Sequence, residues 1–389
     1  MSHSKFVAKT FSNLEPVLAG ELEELGASSV EPGRRAVSFR GDKRLLYKAN
    51  LYVRTALRIL QPIADFLAQN EREFYRQVQK IDWHRWLSPE GTLAVDASVT
   101  SSFLTHSGYL ALKTKDAIVD QFRDRFGRRP SVDVRQPQLR LNVYAFRNRF
   151  TLSLDSSGES LHRRGYRLKS NDAPLNEVLA AGMVLLSGWQ GEENFVDPLC
   201  GSGTLAIEAA LKKVGLPPGL HRRFGFMNWP NFDARLWNQI LSEVPSLRKR
   251  SKGIILASDI SEEAVALAEE NAHRAGVAEE IEFRVAPFDQ ISPPNGGGIL
   301  ITNPPYDQRL KIRNVREFYK NLGDFFKQNC AGYTVWLLTG NREALKFVGL
   351  HPSQKITLYN GGLESKFVKF DMYKGSRKRP PKSGQKKAE

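Results

Sequence analysis

Four consecutive residues, Asn303-Pro304-Pro305-Tyr306, combine a side-chain amide, two prolines and a flat aromatic face. Proline fixes φ and carries no N–H, so the loop is stiff and its carbonyls face no competing donor. Asn303 Oδ1 and the Pro304 carbonyl can then both accept from one NH2 group. Such an amine belongs to a base. Its lone pair is delocalised into the ring, and two acceptors that hold its hydrogens favour the pyramidal, nucleophilic form, which leaves positioning and electrostatics to carry the chemistry. Tyr306 offers a surface on which an extruded base can stack, a contact worth about 1 to 3 kcal/mol. This chemistry requires neither metal nor covalent nucleophile. The plain alternative is an Asn-Pro turn that ends a strand.

A second constellation is Asp197-Pro198-Leu199-Cys200-Gly201-Ser202-Gly203-Thr204, which follows an apolar run and opens a helical one. Its glycines permit a tight turn and close approach of backbone to a nucleotide-like ligand. With Ala206 it matches G-x-G-x-x-A, which alone would allow a dinucleotide. Two features point elsewhere. Asp259, the acid ending the second strand, stands 58 residues after Gly201, not the roughly 20 of a dinucleotide fold. Asp197 precedes the glycines, where a carboxylate can compensate an amino acid's ammonium. S-adenosylmethionine has both a ribose for Asp259 and an ammonium for Asp197. Asp289, just past the third strand, is placed to accept from an adenine amino group; otherwise it is a loop acid or helix cap.

Parallel strands must bring these turns together. Asn194–Leu199, Gly253–Ser258, Ile281–Val285 and Gly298–Thr302 read as buried strands, with helical runs at Thr204–Lys213 and Glu262–Ala275. The repeat of strand, turn and helix predicts a doubly wound parallel sheet, to which Tyr333–Thr339 belongs. Lys355–Tyr359 and Lys366–Tyr373, joined by Asn360-Gly361-Gly362, add an edge hairpin. Upstream, helices are expected at Leu14–Leu25 and Leu45–Leu60, with Val37-Ser38-Phe39 a strand in a small α+β unit. The period of two in Leu93, Val95, Ala97 and Val99 predicts a strand over Thr92–Thr100. Ile118, Phe122 and Phe126 share a helix face that Gly127 and Pro130 terminate. Leu139–Val143 and Phe150–Leu154 alternate around Arg147-Asn148-Arg149, a hairpin signal.

The chain has 57 Lys and Arg against 42 Asp and Glu, a net +15. This excess attracts a polyanion, because neutralised phosphates release counterions. Lys113 to Arg149 holds ten Lys/Arg against four Asp, interleaved with Tyr144 and Phe146, and reads either as an RNA-tracking surface or as a solvated face. Residues 374–389 carry seven Lys/Arg, the pattern of a disordered basic tail. Two cysteines, Cys200 and Cys330, do not make a zinc site of the usual kind and fit a reducing cytoplasm. No apolar run of membrane-spanning length and no secretory signal is visible.

Leu161-His-Arg-Arg-Gly-Tyr-Arg167 followed by Ala173-Pro174-Leu175, the Asp197–Thr204 turn and the Asn303–Tyr306 loop together resemble the bacterial THUMP-domain RNA methyltransferases. The likeness is to those that form N2-methylguanosine in large-subunit ribosomal RNA, and it covers nearly the whole chain. It implies a ferredoxin-like region at 1–65, a THUMP RNA-binding domain at 66–158, a class I methyltransferase domain with a Rossmann-like seven-stranded sheet at 159–376, and a basic tail at 377–389. It further implies S-adenosylmethionine as cofactor. Asp197, Gly201 and Gly203 would meet its methionine moiety, Asp259 its ribose and Asp289 its adenine, with Cys200 and Thr204 in the same turn. Asn303, Pro304, Pro305 and Tyr306 would position the base. The implied partner is RNA, ribosomal ahead of transfer RNA; the sequence leaves the oligomeric state open, with a monomer favoured. Asp307-Gln308-Arg309 departs from the Gly-Glu-Arg of the ribosomal enzymes and leaves the substrate open. An adenine-N6 methyltransferase and a non-catalytic RNA-binding protein remain as rivals.

Overall fold

Leu139, Leu141, Val143 and Ala145 alternate with polar and aromatic neighbours, and in the computed structural model all four are buried. Their face packs against the helix that carries Leu110, Ala117, Ile118 and Phe122. The structure describes residues 3–167, 175–244, 251–305 and 314–373; the segments expected to hold Tyr306, Asp307–Arg309, Ala173-Pro174 and the basic tail lie outside them.

The N-terminal elements are β1 (Ser4–Lys9), α1 (Glu15–Glu24), β2 (Ser28–Gly33), β3 (Ala36–Gly41), α2 (Lys43–Tyr52), β4 (Arg58–Leu67), α3 (Glu71–Gln79), β5 (Thr92–Thr100), α4 (Ser107–Phe126), β6 (Ser131–Val132), β7 (Leu139–Phe146) and β8 (Arg149–Asp155). They build one sheet in the order β2-β3-β1-β4-β8-β7-β5-β6. Strand β4 pairs with β1 over Arg58–Leu60 and with β8 over Leu60–Leu67. The sheet therefore runs through position 65/66 and joins the ferredoxin-like and THUMP regions. Gly127 caps α4 in the left-handed conformation, and Arg147 and Asn148, both at positive φ, make the β7–β8 turn.

The helix expected over Leu45–Leu60 is a correction: it stops at Tyr52, and β4 begins at Arg58. The Glu21 carboxylate takes the Arg54 and Thr55 N–H groups at 2.7 and 3.0 Å, which turns the chain out of the helix. Ile59 and Leu60 then enter the core from a strand.

The C-terminal part comprises α5 (Glu177–Leu186), β9 (Asn194–Asp197), α6 (Thr204–Lys213), α7 (Ala234–Glu243), β10 (Ile255–Asp259), α8 (Glu262–Ala275), β11 (Ile281–Val285), β12 (Gly298–Thr302), α9 (Val315–Asn329), β13 (Tyr333–Thr339), β14 (Gln354–Asn360) and β15 (Leu363–Asp371). Its sheet order is β11-β10-β9-β12-β13-β15-β14. The chain crosses over between β9 and β12, which are parallel neighbours, and β15 is antiparallel to both β13 and β14.

The aromatic insertion after α6 locks the two parts together. Phe226 stacks on Tyr47 of α2 with ring centroids 4.3 Å apart, and Trp237 of α7 meets both edge-on. Phe224, Phe226, Trp237 and Ile240 thus join the N-terminal core. Cys200 and Cys330 are buried free thiols. Among the described residues no helix is long and apolar enough to cross a membrane.

Candidate active site

Both candidate turns leave the carboxyl edge of the seven-stranded sheet. β12 pairs with β9 from Gly298↔Asn194 to Leu300↔Val196, and neighbouring strands lie about 4.8 Å apart. Asp197 ends β9, and Asn303 follows the last residue of β12, so their loops emerge side by side at the switch point where such sheets bind ligands. Asn303 is half-buried, Pro304 buried and Pro305 half-buried.

The glycine turn is fastened from several sides. Gly201 and Gly203 have φ of +51° and +79°, conformations that suit glycine. A Cβ on Gly201 would meet nothing within 4 Å, whereas one on Gly203 would lie 2.8 Å from Ala268 Cβ of α8. Gly203 is therefore a packing requirement, and Gly201 leaves open space beside the turn. The Gly201 N–H donates to Asp259 Oδ2 at 2.9 Å, and the Ser261 N–H to Oδ1 at 3.0 Å. The Cys200 N–H donates to the Ser258 carbonyl at 2.8 Å, and Asn271 Nδ2 to the Ser202 carbonyl at 3.1 Å.

Asp197 is 1% exposed and, among the described residues, makes no ion pair. Only a long contact from the Leu199 N–H, 3.4 Å, reaches its Oδ1. Burial pushes its carboxyl up to about 8, and the negative charge of Asp259 adds to the rise. A buried carboxylate without a counter-charge, beside an open glycine cradle, fits the ammonium of an amino-acid moiety. Half-buried Asp259 ends β10, and exposed Asp289 sits in the turn after β11, so the acids descend along successive strand ends. Cys200 is 7% exposed and burial holds its thiol well above the usual range, which makes it lining and not a nucleophile.

Arg167 was not singled out from sequence as a site residue, yet its guanidinium organises the turn. It donates to Glu177 Oε1 at 2.8 Å, to Thr204 Oγ1 at 2.9 Å and to Ser202 Oγ at 3.3 Å. The Thr204 hydroxyl oxygen thus accepts from Arg167. The sequence signal was present in part: Glu177 and Thr204 are polar residues that open otherwise apolar helical runs, and Arg167 closes the Leu161–Arg167 motif.

Arg167 also lines a cleft of about 1190 Å³ between the two parts of the molecule. Arg135 and Pro137 form one wall, Arg163 and the insertion's His221, Arg223 and Asn228 others. The cleft includes neither glycine turn nor Asn303 loop; Arg167 is the link between them. Much of the charge run from Lys113 to Arg149 is neutralised instead: seven of its ten cations pair with acids, among them Arg125 with Asp82 and Arg140 with Asp96.

Sheet order, glycine turn and Asn-Pro-Pro loop define a class I, S-adenosylmethionine-dependent methyltransferase. Family models match in sequence: the RlmL ferredoxin-like domain over 5–60, the THUMP domain over 68–155, and the RMKL-like methyltransferase domain over 164–369. The chain belongs to the RMKL-like methyltransferase family. It is 40% identical over 371 residues to a Synechocystis sp. protein with a provisional RNA-methyltransferase name, covering 95% of this chain and 97% of the relative. It is also 40% identical over 383 residues to the ribosomal RNA large subunit methyltransferase K/L of Syntrophotalea carbinolica, covering 95% of this chain but 53% of that one. The chain thus spans about half the length of such K/L relatives. A crystal structure of SMU.472, a provisionally assigned methyltransferase complexed with SAH, superposes with a TM-score of 0.85 at 28% identity, over 97% of this chain and 100% of that one.

Proposed function

We propose that this chain methylates the exocyclic N2 amine of a guanosine in large-subunit ribosomal RNA, and that it acts in the cytoplasm as a monomer. The observation that carries the reading is the adjacency of two strand ends: an uncompensated carboxylate, Asp197, on one, and an amide–proline loop, Asn303–Pro305, on its parallel neighbour. When bound, S-adenosylmethionine supplies an electrophilic methyl group. Asp197 accepts from the ammonium, and Gly201 and Gly203 let the backbone pass close to the chain, with Cys200 lining the turn. Thr204 opens α6 and accepts from Arg167, so that its O–H is left to donate. Asp259 accepts from ribose and Asp289 from adenine.

Across the gap, Asn303 Oδ1 and the Pro304 carbonyl hold the two amine hydrogens and aim the nitrogen's lone pair at the methyl group, while Pro305 keeps the loop from relaxing. Tyr306 stacks on the base. The relatives named for ribosomal RNA methylation support the RNA; the loop itself would serve an adenine amine as well. The cleft beside Arg167, of about 1190 Å³, carries Arg135, Arg163 and Arg223 for the phosphates of an RNA strand. Nucleoside mass spectrometry of ribosomal and transfer RNA from a strain lacking the gene tests the reading. Loss of N2-methylguanosine from large-subunit RNA is expected; loss of N6-methyladenosine instead, or of a transfer-RNA nucleoside, would overturn the assignment.

A further inference from the structure

We infer that Tyr144 and Phe146 form a slot for one unpaired nucleobase, a contact with RNA separate from the methyl-transfer loops. The two residues alternate with core residues on β7 and so point to the sheet face opposite α4, where they are 42% and 40% exposed. Their rings lie within 4° of parallel with centroids 6.5 Å apart. Stacked bases rise about 3.4 Å, so a planar base with an aromatic ring on each side requires about twice that spacing. The observed gap is too wide for the two rings to touch face to face and close to what one intervening base fills.

The surroundings favour a nucleotide over an apolar partner. On β5, Ser98 and Thr100 stand opposite Tyr144 and Phe146; on β8, Thr151 and Arg149 do. The Thr151 hydroxyl and Arg149 are already engaged by Asp65, but an apolar protein surface would bury the hydroxyls of Ser98 and Thr100 without partners. Arg147, in the turn, places its guanidinium over the Phe146 ring, 5.1 Å from the centroid, within reach of the phosphate of a base stacked on that residue. A duplex hides the faces of its bases, so the ligand is single-stranded RNA, a loop or a bulge. From Leu139, near the cleft wall at Pro137, β7 extends about 23 Å to Phe146. A strand engaged in the cleft can therefore reach the slot along β7, and in that respect the inference rests on the RNA reading above.

The test is binding of the full chain to a fluorescein-labelled ten-nucleotide single-stranded RNA and to a ten-base-pair RNA duplex. The double variant Tyr144→Ala/Phe146→Ala should weaken single-strand binding about 5- to 150-fold, the loss of one stacked base, with duplex binding, SAH affinity and thermal unfolding unchanged. Tyr144→Phe should retain the affinity, because stacking needs the ring and not the hydroxyl. With 5-bromouridine in the RNA, photocrosslinks should map to Tyr144 or Phe146. Wild-type single-strand affinity in the double alanine variant, or an equal loss for duplex, overturns the slot. Binding is the readout, so the outcome stands whether or not guanine is the methylated base.

Discussion

Arg164 Nε donates to Glu208 Oε1 at 3.2 Å with both side chains sealed from solvent. The same guanidinium donates to the Leu161 carbonyl at 2.9 Å and the Arg54 carbonyl at 2.5 Å, and the Tyr166 hydroxyl adds a bond to Glu208 at 3.3 Å. One buried pair thus ties the N-terminal part, the connecting segment and α6, which begins at the glycine turn. Breaking a buried pair from one side leaves a charge without its partner, at a cost of about 3 to 5 kcal/mol. Arg164→Met should show a loss of that size in urea unfolding. A change below about 1 kcal/mol would mean that Tyr166 and solvent suffice for Glu208.

The Asp197 carboxyl, raised to about 8, sets a pH dependence on cofactor binding. Its value in the folded protein lies above the ordinary 3.8, so the protonated form favours folding: this contribution is fully present below pH 4 and is lost as pH rises toward 8. The cofactor's ammonium needs the carboxylate, so binding at pH 7 should release a proton from Asp197, and affinity for SAH should rise with pH up to about 8. Calorimetry in two buffers of different ionisation enthalpy reads the proton directly. Asp197→Asn should remove both the release and the pH slope; an unaltered slope in that variant would assign it to another group.

Much of this site could be read before any coordinates. The glycine turn and the Asn-Pro-Pro loop are local chemistry, and the buried strands that carry them end within two residues of where their apolar runs put them. Leu45–Leu60 misled because Ile59 and Leu60 continue an apolar rhythm that begins in α2, and only the distant carboxylate of Glu21 breaks the helix. The same long-range character hid the Arg167 clamp and the joining of the N-terminal regions through β4: each depends on partners far away in the chain. The basic run from Lys113 could not be weighed by charge alone, since the acids that pair with it lie largely elsewhere in the sequence.

Asn303→Ala separates positioning from cofactor binding. An acceptor that acts on the reacting amine contributes mainly in the transition state, so kcat should fall about 10²- to 10³-fold. Affinity for SAH should stay within about twofold, because the cofactor turn on β9 is fastened by Asp259, Asn271 and Arg167. Parallel loss of both quantities would mean that Asn303 shapes the cofactor pocket.

Gly203→Ala should fail for a different reason. At φ +79° and 2.8 Å from Ala268 Cβ, the added methyl must move α6 away from α8, and overpacking of this kind costs about 1 to 3 kcal/mol. Gly201→Ala meets no neighbour within 4 Å, so it should lower stability less while obstructing the ligand. Thermal unfolding with and without SAH distinguishes them: the Gly203 variant melts lower in both, and the Gly201 variant loses the shift that SAH produces.

His162 supplies the opposite pH term. It lines the cleft, bonds through Nδ1 to Ser160 Oγ at 2.8 Å, and is held at about 4, first by burial and then by Arg163, Arg164, Arg222 and Arg167. Its folded value lies below the ordinary 6.5, so the unfolded chain takes up the proton first. The stability due to neutral His162 is present above pH 6.5 and is lost as pH falls toward 4. Over this range Asp197 pushes the other way, as do the buried carboxyls of Glu21 and Asp155, so the wild-type profile is a balance of opposed slopes. His162→Gln should make the protein relatively more stable at pH 5 than at pH 7.5, compared with wild type, and Asp197→Asn should do the reverse. Melting temperatures of both variants across pH 4.5 to 8.5 check this pair of signs. Two variants with the wild-type pH profile would show that neither group titrates between the folded and unfolded states.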